Sequence, residues 1–205
     1  MNTLKIVQDS CIDSPRNWDN LGTMAYKHSN YELGEEKISE PIEWLEEKLG
    51  VEEKGIYTNE RLAELEAKFF DKFIALPLYL YDHSGQSIST SPFSCRWDSG
   101  KVGYIYVDKK TVLKEYGGKI VTAKLKERVL SYLQGEVETF NQYIQGDVYG
   151  YQIEDEDGNH IDSCYGFYGT DWATNGITDH IDFELLGLSS DEELVKLIEE
   201  TEIEY

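Results

Sequence analysis

A chain of 205 residues with 40 acidic and 19 basic side chains carries a net charge of −21, which repels phosphate backbones and anionic lipid and argues against direct nucleic-acid or membrane binding. Its 40% apolar and 13% aromatic content is enough for a core without disulfide staples and excludes a wholly disordered polyanion. Cys11, Cys95 and Cys164 are odd in number and far apart, as expected for free thiols in a reducing compartment.

The opening MNTLKIVQDSCIDSPR holds a short strand, LKIV at 4–7, but no cleavable apolar leader, and nowhere do eighteen apolar residues run together; a cytoplasmic, soluble protein is expected. A loop through Pro15 and Gly22 follows. SEPIEWLEEKLG predicts a short amphipathic helix with Ser39 as N-cap, Pro41 in its first turn and Gly50 at its end. Thr58–Phe73 predicts a second, with Leu62, Leu65, Phe69 and Phe73 on one stripe. ALPLYLYDHSG, QSISTSPF and VGYIYV read as strands. Ile120–Ile144 predicts a long helix with Leu125, Val129, Leu133, Val137, Phe140 and Ile144 on one side, weakened at Gly135 by about 1 kcal/mol relative to Ala. DVYGYQIEDEDGNHIDSCYGFYG predicts a hairpin around Asp157–Gly158. The tail predicts a capped acidic helix starting at Ser189 or Ser190, with Leu194, Leu197 and Ile198 inward.

This order predicts an α+β fold, a mainly antiparallel sheet packed with a long helix and shorter amphipathic helices. One domain over 1–205 is expected, comprising an acidic helical region at 32–73, a sheet and long-helix core at 74–169 and an acidic C-terminal helix at 189–200. Charge is distributed unevenly. Residues 32–71 hold 13 acids and 5 bases, and 147–205 hold 17 acids and only Lys196, whereas 101–146 have 5 acids and 8 bases.

Two constellations compete for function. Cys95, in SPFSCRWDSG, could act as a nucleophile with His83 as base and Asp98 or Asp82 orienting it, the arrangement of a cysteine-dependent hydrolase or transferase. The spacing matches no thiol-enzyme signature, and packing is the expected role of the thiol. Asp155, Asp157 and His160 offer oxygen and nitrogen ligands, but the calcium-loop pattern and a second histidine at zinc spacing are missing, so no metal is expected. Neither phosphate-binding glycine motif occurs, and no cofactor is expected. The aromatic hairpin residues Tyr149, Tyr151, Tyr165, Phe167 and Tyr168 could stack on bases, but lack the basic neighbours that hold phosphates. Cross-strand packing is expected of them.

The second constellation is the acidic surface. Carboxylates spread over a surface can imitate the phosphates of a duplex and occupy a Lys/Arg groove. The candidate partner-binding residues are Glu154, Asp155, Glu156 and Asp157 at the hairpin tip and Asp191, Glu192, Glu193, Glu199 and Glu200 on the last helix. The partner would be a basic nucleic-acid-binding protein.

SPRNWDNLGTM (14–24), LPLYLYDHSGQSISTSPFSCRWDSGKVGYIYV (76–107) and GDVYGYQIEDEDGNHIDSCYGFYG (146–169) together resemble a family of uncharacterised proteins of bacteriophages and mobile elements. The resemblance lends no active site, cofactor or fold. It implies a genomic setting, and therefore action in a host cell, where small acidic proteins often inhibit defence as antirestriction or anti-CRISPR proteins. A host restriction or CRISPR nuclease is the partner this implies. A structural or regulatory role toward another phage component stays open.

Overall fold

The computed structural model describes residues 2–51 and 57–205. They divide into two compact units, a central one, Pro15–Asn141, and a terminal one formed by the residues up to Ser14 together with Gln142–Tyr205. The division cuts across the three regions into which the linear sequence parses. The fold is α+β, and its strands form two mainly antiparallel sheets.

In the order of the chain the elements are β1 (Thr3–Gln8), β2 (Thr23–Tyr26), β3 (Glu36–Lys37), α1 (Pro41–Leu49), α2 (Asn59–Lys72), β4 (Phe73–Asp82), β5 (Gln86–Ser89), β6 (Ser99–Asp108), α3 (Lys109–Tyr116), α4 (Ala123–Gln145), β7 (Val148–Glu154), β8 (His160–Tyr168), α5 (Asp191–Glu200) and β9 (Ile203–Glu204). Two single-turn 3-10 helices, Ile177–Asp179 and Phe183–Leu186, precede α5.

The central unit holds a sheet in the order β3-β2-β6-β4-β5. Strand alternation turns Tyr104 and Tyr106 of β6 to one face, where they meet Trp44 of α1 and Phe69 of α2 at ring-centroid distances of 5.2–5.8 Å. Leu45, Leu65 and Phe69 are fully buried there, each contributing about 1.5–3 kcal/mol of apolar burial. On the opposite face Gly22 packs against Ile105 and Leu133 of α4, where a Cβ would come within 2.9 Å and 2.5 Å of their side chains. Thr58 caps α2 through a bond from the Arg61 N–H, and Gly50 ends α1 in the left-handed conformation. Ser39 is not a cap: Glu40 occupies the N-cap position of α1 and makes no side-chain capping bond.

A buried ionic cluster fixes the loop before β2. Arg16 donates to Glu35 at 2.9 Å, to Glu136 of α4 at 3.1 Å and to the Gly22 carbonyl at 2.6 Å. Glu136 also accepts from the backbone N–H groups of Leu21 and Gly22. Such a cluster is held at a desolvation cost, so it serves geometry more than stability.

In the terminal unit the sheet order is β8-β7-β1-β9. Leu4 and Ile6 of β1 and Tyr149, Tyr151 and Ile153 of β7 share a core with Phe167, Trp172, Leu194 and Ile198, so α5 and the 3-10 turns cover one face. The β7–β8 hairpin turns at 155–159 as its sequence predicts, with Gly158 at φ 80°.

Candidate functional site

The fold sorts the charge. The terminal unit gathers 19 acids against two bases, Lys5 and Lys196, a net of −17, while the central unit holds 21 acids and 17 bases, a net of −4. The acids near the start of the chain, Asp9 and Asp13, join the C-terminal ones through the pairing of β1 with β7.

The nine predicted partner-binding residues divide by what holds them. Glu154 pairs with Lys5 at 2.8 Å. Lys5 sits between the core residues Leu4 and Ile6, so this pair lies on the sheet face turned away from α5. Asp155 is spent on its own turn: it accepts from the backbone N–H groups of Asp157 and Asn159 and from the Asn159 amide. These bonds, led by the Asn159 side chain, hold its carboxyl below the ordinary range. Glu193 accepts from the Ser189 N–H while Ser190 accepts from the Glu193 N–H, a capping arrangement at the start of α5. Glu156 is exposed at the hairpin tip. Asp157, Asp191, Glu192, Glu199 and Glu200 are exposed and make no ion pair among the described residues.

The same unit exposes further acids that the linear reading did not single out: Asp171, Asp179, Asp182, Glu184, Glu202 and Glu204. Their signal in the sequence was the acid density over 147–205, not any motif. Three acids in the first turn of α5 agree with the helix dipole, whereas Glu199 and Glu200 stand at its negative end with no base in the last turn.

The aromatic hairpin packs inward. Tyr149, Tyr151 and Phe167 are buried, and the single Tyr151 hydroxyl hydrogen faces two acceptors, Asp162 and the His180 carbonyl, each 2.8 Å from the oxygen. Burial first, then the Asp162 carboxylate, pushes the Tyr151 phenol well above its ordinary value. Tyr165 remains exposed on the outer strand, where its hydroxyl accepts from Gln152.

The cysteine loop joins β5 to β6. Cys95, half-buried, donates its thiol hydrogen to Asp98 Oδ2 at 3.3 Å, and His83 Nδ1 lies 3.8 Å from the other oxygen, Oδ1. The three candidate residues therefore meet, but in the order thiol, carboxylate, imidazole: Asp98 takes the place a general base would need. Asp82 meets Asp98 only through the backbone, donating its N–H to the Asp98 carbonyl at 2.9 Å. Ser99 further ties the loop by donating to the Cys95 carbonyl.

His160 lies 3.0 Å from the Ser163 hydroxyl, and among the described residues no three His, Cys, Asp or Glu side chains are placed to hold a metal. Nor is any helix among them long and apolar enough to cross a membrane. No protein-family model, curated protein or solved structure matches the chain.

Proposed function

We propose that this is a noncatalytic binding protein whose terminal unit acts as a mimic of DNA and occupies the basic nucleic-acid groove of a partner enzyme. On the resemblance to phage and mobile-element proteins, that partner is a host restriction or CRISPR nuclease. The observation that carries this reading is the segregation of charge, a net of −17 in the terminal unit against −4 in the rest. A surplus of that size opposes compactness by self-repulsion, so a solubilising coat alone accounts for it poorly. The acids best suited to contact are the exposed ones of α5 and the hairpin tip; Asp155 and Glu193 act as local scaffolding. The thiol reading is weaker, because Asp98 rather than His83 faces the Cys95 sulfur.

The test is capture from host lysate by the tagged protein at low and moderate salt, with mass spectrometry of what is retained. A restriction or CRISPR nuclease that is lost as salt rises and displaced by DNA is the expected result. Binding to candidate nucleases that survives Asp191→Lys, Glu192→Lys, Glu199→Lys and Glu200→Lys together, and also Glu156→Lys with Asp157→Lys, would sink the proposal.

A further inference from the structure

Independently of the acidic unit, we propose that the cavity between the Pro15–Asn20 loop and α4 binds a small aromatic anion, a flat ring bearing one carboxylate or phosphate. The cavity measures about 610 Å³, within the usual range of small-ligand sites, about 300–1,000 Å³. It lies wholly within the central unit, with Pro15, Trp18 and Asn20 on one wall and Arg128, Tyr132 and Gly135 on the other.

Each wall contributes a large aromatic ring left half in solvent: Trp18 is 53% exposed and Tyr132 49%. Rings held this way offer stacking surface to a planar ligand. Arg128 supplies the charge. Its guanidinium sits 5.1 Å from the Tyr116 ring and makes no ion pair among the described residues, in a chain with twice as many acids as bases. Arg128 also belongs to residues 101–146, where bases outnumber acids 8 to 5. At the cavity an anion meets this guanidinium, while the one carboxylate of the lining, Glu136, is paired with Arg16.

Gly135 lines the cavity in the middle of α4, and a Cβ built on it meets nothing within 4 Å. Packing does not demand this glycine, and the helix is weakened by it; what its lack of a side chain preserves is cavity space. The loop wall is set in advance. Glu136, which also lines the cavity, is paired with Arg16 and holds the Leu21 and Gly22 N–H groups, and Asn20 donates to the carbonyls of Pro15 and Trp18. Walls fixed in this way lower the ordering cost of binding.

The experiment is a titration of the full chain with adenosine 5′-monophosphate and with indole-3-carboxylate, following the four indole N–H signals by NMR. Adenosine, indole and inorganic phosphate serve as half-ligands. Trp18→Phe assigns the reporting signal. A saturable shift of the Trp18 signal with at least one of the two anions is expected, weakened about tenfold or more for the matching neutral ring and for Arg128→Gln, and abolished by Gly135→Leu. The Leu variant carries a better helix former, so loss of binding with an intact spectrum reports a filled cavity. No saturation with either anion up to about 5 mM, a range that covers millimolar affinities, would overturn the proposal. So would equal binding of inorganic phosphate alone, or binding unaffected by Gly135→Leu. Which anion saturates distinguishes a phosphate ligand from a carboxylate one.

Discussion

Arg16 and Glu136, 120 residues apart in the chain, meet at 3.1 Å with their side chains only 5% and 7% exposed. Removing Arg16 leaves Glu136 without its counter-ion in a buried site, at a cost of about 3–5 kcal/mol. Glu136→Ala leaves Arg16 its Glu35 partner, and its cost comes instead from stripping the acceptor from the Leu21 and Gly22 N–H groups. The double variant Arg16→Met with Glu136→Ala should cost less than the sum of Arg16→Met and Glu136→Ala. Urea unfolding of the four proteins measures the coupling directly.

The phenols predict how the protein fails in alkali. Tyr104 donates to Glu66, Tyr149 to Asp147 and Tyr151 to Asp162, and all three are held above the ordinary value of 10.0, first by burial and then by the carboxylate. Tyr168 is pushed up to about 12 by burial. Above about pH 10 the unfolded chain loses phenolic protons that the folded chain keeps. The stability from these groups is thus fully present below that pH and is lost as pH rises through the folded-state values. Absorbance titration should show one class of tyrosines ionising freely and another only as far-ultraviolet circular dichroism is lost. All fifteen tyrosines titrating together before unfolding would contradict this.

At the hairpin tip neighbouring acids have different work. Asp155→Ala should speed amide exchange at Asp157 and Asn159, whose N–H groups it holds, while Asp157→Ala should leave the exchange at Asn159 unchanged. Because the Asp155 carboxyl is lowered, its contribution to the turn is present above the ordinary carboxylate value and lost as pH falls through the folded one. Exchange measured down the acid limb checks the sign.

On α5, Glu199→Gln with Glu200→Gln removes two negative charges from the negative end of the helix dipole. The pair should raise the melting temperature by about a degree and weaken attachment to the proposed basic partner. Opposite signs for stability and binding are what a functional carboxylate gives; a gain in the first with no loss in the second would remove these residues from the interface.

Thiol alkylation separates the two readings of the cysteines. Cys11 is exposed, whereas Cys95 is half-buried and its thiol donates to Asp98. Cys11 should label fastest, and Cys164 and Cys95 more slowly. A Cys95 that outpaces Cys11 near neutral pH would restore the thiol enzyme as the leading reading.

What the linear sequence could disclose was set by how local the signal is. The β7–β8 hairpin has alternation and an Asp–Gly turn, α2 and α5 have side-chain caps, and α4 has a stripe whose Val129, Leu133, Val137 and Phe140 are buried. Helix α3 lacks such a stripe, burying only Val112 among eight residues. Strands β3 and β9, two residues each, are too short to carry an alternation and are defined by their pairing with β2 and with β1 at the other end of the chain. The same limit applied to the site. Acid density was visible, but that Asp155 and Glu193 are committed to a turn and a cap, and that Asp98 stands between Cys95 and His83, are consequences of folded geometry.

Strand β1 lies between β7 and β9, and this sets a timetable for synthesis on the ribosome. Both its backbone edges must wait until residues 15–141 have been translated, on the order of ten seconds at ordinary elongation rates. The central unit can close its sheet during that interval, while the polyanionic unit is assembled only after it. A transcript cut short anywhere before β7 would therefore yield a product in which the acidic unit cannot assemble.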